Sequence, residues 1–331
     1  GFTSAKQYAD DFIAFAKSMK AIDPTIKIGA VGYGEPHRRG DADNVDEWNA
    51  TVVKTAGGWM DFLSLHYYYP AADRKDVSYA SEQWFTAAMA GAHLSLAHMR
   101  EIRALLDAYK PAAGPIRLAV TEYGIWPNDS TDARDYSNLA RALHDADLLI
   151  GFLRDGRELG LTLATGWDLH SGTKEALIGY DWEKGRRIVR PQYHAFHLLR
   201  QHLGSQLHDM RMEGPTFSPP EMGLFKNVRA VPMLQGVAST DSTGHLTLAV
   251  LNRSLHVSLA TTIRLVGYIA SSRAAVQTLN GHTLGSHNED GPAVAPATAA
   301  VTLPVSAEGT RASFSFTFAA HSLTLIELTA E

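Results

Sequence analysis

Tyr8, Phe12, Phe15 and Met19 recur at alternating four- and three-residue steps, which predicts an amphipathic helix that Asp23-Pro24 stops. Ile26 to Val31 then reads as a strand running into Gly32-Tyr-Gly-Glu-Pro36. Val45 to Thr55 reads as helix, with Asp43 or Asn44 as N-cap. Met60 to His66 is a second strand, closed by Tyr67-Tyr-Tyr-Pro70, and Ser81 to Tyr109 a long helical stretch with a possible break near Gly91. The apolar run from Ile116 to Thr121 predicts a third strand that ends in Glu122. Asp135 to Leu159 reads as helix interrupted around Gly151, and Leu161 to Gly166 as a fourth strand leading into Trp167-Asp-Leu-His170. Pro191 to Leu203 is a further helix, with proline in its first turn and Gly204 after its end. Strands alternating with helices imply parallel strands with helical crossovers, so residues 1–204 carry four strand–helix units, half of an eight-stranded barrel.

The pattern changes after Gly204. Residues 205–235 hold four prolines and read as a connection. Strand-like runs follow at His245–Leu251, Val257–Leu265, Ala312–Phe318 and Ser322–Leu328. Phe314, Phe316 and Phe318 alternate with Ser and Thr, as on a half-buried strand. Residues 285–300, rich in Ala, Pro and Gly, read as a loop, and no internal repeat is visible. Residues 205–331 therefore predict an all-β module, a sandwich.

Composition narrows the function. With 331 residues, 45% hydrophobic and 20% charged, the chain is of ordinary globular make-up. A net charge of −5 argues against a general nucleic-acid binder and says nothing against a neutral sugar. The absence of cysteine removes disulfides, thiolate nucleophiles and cysteine-held metals. No apolar run is long enough for a membrane helix, and the N-terminus does not read as a signal peptide; without an initiator Met, the chain reads as processed or cut from something longer. An acidic, cysteine-free chain fits a bacterial cytoplasm, a periplasm or secretion equally.

The candidate chemistry sits after the four strands: Glu35; His66 with Tyr67 to Tyr69; Glu122 with Trp126; and Trp167 with Asp168 and His170. Carboxylates, imidazoles and large aromatics at one rim suit glycoside hydrolysis, where rings stack on sugars and a pair of carboxyl groups does the chemistry. Each residue also has a structural role open to it. His66 could bond a rim carbonyl, Trp167 could be core, and Asp168 could orient His66 or an arginine. Tyr67 to Tyr69 alternate in direction, so at least one should face the barrel packing or the helices. No His-Glu-x-x-His motif appears, Gly32-Tyr-Gly34 does not complete a dinucleotide fingerprint, and no Gly-x-Ser-x-Gly elbow is present. Neither a metal nor a cofactor is implied.

These segments, in this order, resemble the C-terminal part of the α-L-arabinofuranosidases of glycoside hydrolase family 51. Tyr8 to Lys27, with Ala16-Lys-Ser-Met-Lys-Ala-Ile-Asp-Pro-Thr-Ile-Lys27, is similar to the helix and strand after the family's acid/base motif, and Asp61-Phe-Leu-Ser-Leu-His-Tyr-Tyr-Tyr69 to its sixth barrel strand. Thr121-Glu-Tyr-Gly-Ile-Trp126 resembles the family's Asp-Glu-Trp-Asn-Val-Trp. Gln192-Tyr-His-Ala-Phe-His-Leu-Leu-Arg-Gln-His-Leu-Gly204 is similar to its last barrel helix, and His321-Ser-Leu-Thr-Leu-Ile-Glu-Leu328 to the last strand of its β-sandwich.

The resemblance implies barrel strands five to eight in residues 1–204, followed by the β-sandwich. It makes Glu122 the nucleophile of a retaining arabinofuranosidase, puts Tyr68 in the sugar subsite with His66 at the same strand end, and makes Trp126 a pocket wall. Asp168 falls where the family carries a sugar-binding Gln, and Thr-Glu-Tyr-Gly replaces Asp-Glu-Trp-Asn. Related enzymes acting on xylosides or β-glucans therefore stay open. The family's acid/base Glu lies in a Gly-Asn-Glu motif after the fourth strand, upstream of residue 1 by this alignment. Glu35 is the one obvious replacement; a loop Glu held by Pro36, Arg38 and Arg39 is its other reading. The acid/base then comes from a partner chain, from Glu35, or is missing, and a non-catalytic carbohydrate-binding or scaffold protein is the rival function. An isolated half barrel exposes two sheet edges and an apolar face. The chain is thus expected to pair with a second copy or with a separate N-terminal half-barrel chain.

Overall fold

A computed structural model describes residues 3–34, 45–109, 114–170, 173–223 and 225–331. The chain divides into two units. The first comprises Gly1–Tyr69, His93–Gly124 and Asp155–Trp167; the second comprises Pro70–Ala92, Ile125–Arg154 and Asp168–Glu331.

In the first unit, helix α1 (Ala5–Ile22) begins at Ser4, whose hydroxyl accepts from the Gln7 N–H at 3.2 Å. It buries Ala5, Ala9, Phe12 and Ala16, a helical stripe. Strand β1 (Gly29–Val31) follows, then α2 (Val45–Ala56). The expected cap at Asp43 or Asn44 lies outside the described residues. Strands β2 (Phe62–Ala72) and β3 (Arg117–Pro127) continue into the second unit, as does helix α3 (Glu82–Ala108). Helix α3 runs through Gly91 without a break. The short helix α4 (Ala133–Tyr136) precedes α5 (Leu139–Leu159), which likewise runs through Gly151, and β4 (Leu161–Ala164) closes the series. The sheet order is β1-β2-β3-β4, with β1 parallel to β2 (Gly29 beside Phe62) and β3 parallel to β4 (Leu118 beside Leu161). Consecutive strands are neighbours because each helix carries the chain back to the start of the next strand.

Two of these strands run further than the sequence predicts. Glu122 was expected at the tip of its strand, yet β3 continues to Pro127, and β2 continues through the tyrosines to Ala72. The Asn128 N–H bonds the Ala72 carbonyl at 3.0 Å, so the two chains stay in hydrogen-bonding reach to their ends. An aromatic, polar stretch that looks like a loop in sequence keeps its strand conformation because the neighbouring strand satisfies its backbone.

In the second unit, a hairpin of β5 (Ile178–Asp181) and β6 (Arg186–Val189) precedes α6 (Pro191–His202). The segment expected as a connection contains the short strands β7 (Gln206–His208), β8 (Thr216–Phe217) and β9 (Val231–Pro232). Strands β10 (Leu234–Thr240), β11 (Leu246–Asn252), β12 (Leu259–Val266), β13 (Ala270–Leu279), β14 (Ala297–Thr302), β15 (Ser306–Glu308), β16 (Arg311–Phe318) and β17 (Ser322–Ala330) complete it. They form a six-stranded sheet, β14-β13-β17-β11-β10-β7, and a three-stranded sheet, β12-β16-β15, with antiparallel pairing throughout. Leu248, Val250, Val276 and Ile326 from the larger sheet share one core with Leu265, Phe314 and Phe318 from the smaller, which makes this a β-sandwich. The expected loop at 285–300 overlaps the start of β14, whose Ala-Thr sequence is almost wholly exposed and carries no burial signal.

A buried ion pair ties α5 to this sandwich. Arg253 donates from Nε and Nη2 to the two oxygens of Asp147 at 2.6 and 2.7 Å, with both side chains at most 2% exposed. Arg253 also bonds the Pro232 carbonyl at 2.7 Å and Gln235 Oε1 at 2.9 Å, while Gln235 donates to the Asp147 carbonyl at 3.0 Å. Every charge is paired and bonded, the condition under which burial of ions is tolerated.

Candidate functional site

Along β2 the side chains alternate. Leu63, Leu65, Tyr67 and Tyr69 are fully buried, and the Tyr69 hydroxyl meets His98 Nδ1 of α3 at 2.9 Å. Ser64, His66 and Tyr68 take the other face. There the Ser64 and Thr121 hydroxyls bond at 2.7 Å, bridging β2 and β3 one residue before Glu122. Thr165, just after β4, adds its N–H to the Val120 carbonyl at 2.9 Å and its hydroxyl to the Thr121 carbonyl at 2.8 Å. The backbone that carries Glu122 is thus held from both sides.

The Glu122 carboxylate, 28% exposed, takes two contacts on one oxygen. The Tyr68 hydroxyl donates to Oε2 at 2.7 Å, and His66 Nδ1 lies 3.4 Å from the same atom. Oε1 accepts no hydrogen bond among the described residues. A carboxylate fixed through one oxygen, with its other oxygen unbonded and partly open to solvent, can act as a nucleophile or hold a cationic centre. His66 is half exposed and approaches the carboxylate rather than a rim carbonyl. Gly34, three residues past β1, makes room for this strand: a Cβ there would stand 2.5 Å from the His66 carbonyl oxygen.

The remaining expected residues fall as follows. Trp167, in the first unit, follows β4 and Gly166 and is 46% exposed, so it is not core. Trp126, in the second unit, meets Tyr136 edge-on at 5.7 Å; Tyr136 donates to the Pro127 carbonyl at 2.6 Å and carries the Lys174 ammonium 4.1 Å above its ring. Asp168, also in the second unit, is partly buried, and its Oδ1 takes no hydrogen bond among the described residues. Its carbonyl accepts from the Leu177 N–H at 2.8 Å. Glu35 lies outside the described residues. The Ser64–Thr121 bridge escaped the sequence reading; its signal is a hydroxyl at the end of one apolar run facing a hydroxyl inside another. Among the described residues no helix is long and apolar enough to cross a membrane, and no group of three or more His, Asp or Glu is placed to hold a metal ion.

A parallel sheet that aims a tyrosine-braced carboxylate from its third strand, in a chain that ends in an antiparallel sandwich, is the build of an α/β region followed by a β module. Residues 121–322 match the family described as alpha-L-arabinofuranosidase C-terminal domain, and the chain belongs to that family. Among curated proteins it is 26% identical over 129 residues to an intracellular exo-alpha-(1->5)-L-arabinofuranosidase of Halalkalibacterium halodurans, covering 38% of this chain and 23% of that protein. A protein of the same name from Acetivibrio thermocellus is 39% identical over 54 residues, 16% of this chain and 10% of the relative. Among solved structures, the α-L-arabinofuranosidase of Thermotoga maritima in complex with arabinose superposes with a TM-score of 0.79 at 24% identity, over 98% of this chain and 62% of the other. The family 51 enzyme of Thermotoga petrophila gives 0.78 at 24% identity, over 99% and 63%. The fold is therefore shared across essentially the whole chain, while the chain spans less than two thirds of those relatives' length.

Proposed function

We propose that this chain supplies the nucleophile of a retaining glycoside hydrolase that removes arabinofuranosyl residues from plant polysaccharides or oligosaccharides. The observation that carries this is Glu122, held through Oε2 by Tyr68 and approached by His66. The names of the curated relatives support the sugar. In this reading Oε1 attacks the anomeric carbon while the glycosidic bond to the leaving oxygen breaks, giving a glycosyl-enzyme ester. A second carboxylic acid protonates that oxygen, then takes a proton from the water that cleaves the ester. Glu35 is the candidate for that acid within this sequence. Trp126 and Trp167 offer stacking faces, and the unbonded Oδ1 of Asp168 is suited to a sugar hydroxyl.

The parallel strands are taken as strands five to eight of a (β/α)8 barrel, with residues 1–204 as the catalytic region and 205–331 as the sandwich domain. A half barrel leaves sheet edges and an apolar face that further polypeptide would cover. Two features support this. On α1, Phe15, Met19 and Ile22 are 70%, 46% and 88% exposed along one side. Among the described residues β1 pairs only with β2, and β4 only with β3. Hydrolysis of an aryl α-L-arabinofuranoside tests the function: Glu122→Gln is expected to abolish turnover, and full activity in that variant would falsify the assignment.

A further inference from the structure

The β5–β6 hairpin pairs Ile178 with Val189, Gly179 with Ile188, Tyr180 with Arg187 and Asp181 with Arg186. Alternation puts Gly179, Asp181, Arg186 and Ile188 on one face and Ile178, Tyr180, Arg187 and Val189 on the other.

The first face is anchored. Arg190, 4% exposed, lies against Gly179 so closely that a Cβ there would stand 2.7 Å from its guanidinium carbon. Arg190 donates to Glu289 at 2.7 Å and to the Thr173 and Ala176 carbonyls at 2.9 Å each. Asn288 bonds the Val189 carbonyl at 2.8 Å, and Arg186 donates to the Glu289 carbonyl. The turn is fixed as well: the Lys184 N–H bonds Asp181 at 3.1 Å, and Gly185 supplies the positive φ of 60° that closes it.

The other face presents aromatic rings to water. Trp182 is 78% exposed, and its ring meets Tyr180 at 4.5 Å and 63°. Val189 is 38% exposed, and Arg187 is exposed across the strand from Tyr180. A lone surface tryptophan needs no explanation. An indole braced by a tyrosine, on a hairpin anchored by a buried arginine and closed by a fixed turn, is preorganised, so a ligand that stacks on it loses little conformational freedom in doing so. Lys184 and Arg186 both face the Asp181 carboxylate, at 3.4 and 3.5 Å, which ties up two of the hairpin's cations. Rigid ring faces suit an uncharged, hydroxyl-rich ligand with flat C–H faces. Trp182 and Val189 offer far less apolar area than the roughly 800 Å² per partner of a stable protein interface.

We propose that Tyr180 and Trp182 form a stacking platform for a neutral glycan chain, with Arg187 donating to its hydroxyls. The choice of a glycan rests on the carbohydrate function proposed above.

Affinity electrophoresis of the whole chain through gels containing linear (1→5)-arabinan or arabinoxylan tests it. The chain is expected to be retarded, Trp182→Ala to weaken the retardation constant at least tenfold, and Trp182→Phe to keep most of it; circular dichroism checks that the folds match. A parent that is not retarded, or a Trp182→Ala variant retarded like the parent, overturns the proposal. So does a change of mass by light scattering on removing the indole, which would make the patch a protein contact. Retardation does not require turnover. A chain that is retarded but inactive counts against the catalytic reading alone, and an active chain indifferent to Trp182 counts against the platform alone.

Discussion

The Tyr68 hydroxyl donates to Oε2 of Glu122 at 2.7 Å, from the strand next to the one that carries the acid. A hydrogen bond to a charged group contributes about 1.5–3 kcal/mol. If Glu122 must be aimed to attack, Tyr68→Phe should lower kcat on an aryl arabinofuranoside by about 10- to 100-fold. Tm should change little, because the aromatic ring is kept. A variant with unchanged kcat would show that the tyrosine does not orient the nucleophile.

Gly34 gives a second handle on the same strand. An added methyl would stand 2.5 Å from the His66 carbonyl and 2.8 Å from the Tyr67 ring. Gly34→Ala should displace β2 at His66 and cost about 1–3 kcal/mol as an overpacking change. Denaturant unfolding reads the cost, and turnover should fall with it.

Asp61, at the entrance to β2, bonds the Ile28 N–H at 2.9 Å and pairs with Lys27 at 3.1 Å and Lys20 at 3.2 Å. Burial pushes its carboxyl up, but the Ile28 N–H and the two ammonium groups outweigh that and hold it below the usual carboxylate range. Since the folded value lies below the unfolded one, the stabilisation is present above about pH 4 and is lost as pH falls through the folded value. Asp61→Asn should therefore be less stable than the parent at neutral pH. The gap should close in acid; a gap of constant size across that titration would contradict the assignment.

Removing Arg253 leaves Asp147 buried without a counter-charge, a change of about 3–5 kcal/mol. Arg253→Ala should show this in urea unfolding. The double replacement of Arg253 and Asp147 by apolar residues should recover part of the loss, and failure to recover any would mean that the Gln235 and Pro232 contacts matter more than the ion pair.

Where the sequence was legible, and where it was not, follows from burial. Leu118 to Val120 is apolar because it is wholly buried, so the strand bearing Glu122 stood out. Strand β10 was missed, its first two residues being read as connection and the rest left unassigned: six of its seven residues are buried, Gln235 and Ser239 among them, so its polar groups break the apolar run and no alternation appears. Gln235 is polar because Arg253 and Asp147 need it, a fact that only the tertiary fold supplies. The β5–β6 hairpin was missed because its strands are four residues long and bury only Gly179 and Ile188, too few to set a period. His66 and the three tyrosines were picked from their place after a strand, Tyr68 among them by the family resemblance, and alternation along β2 explains why Tyr69 turns instead to His98.

The Asp147–Arg253 pair joins residues 106 positions apart, one on a helix of the parallel-sheet region and one just past a sandwich strand. Cutting the chain near residue 204 would strand an anion inside the remaining piece. The sandwich thus supplies the counter-charge of α5 and couples the stability of that helix to the strands that follow it.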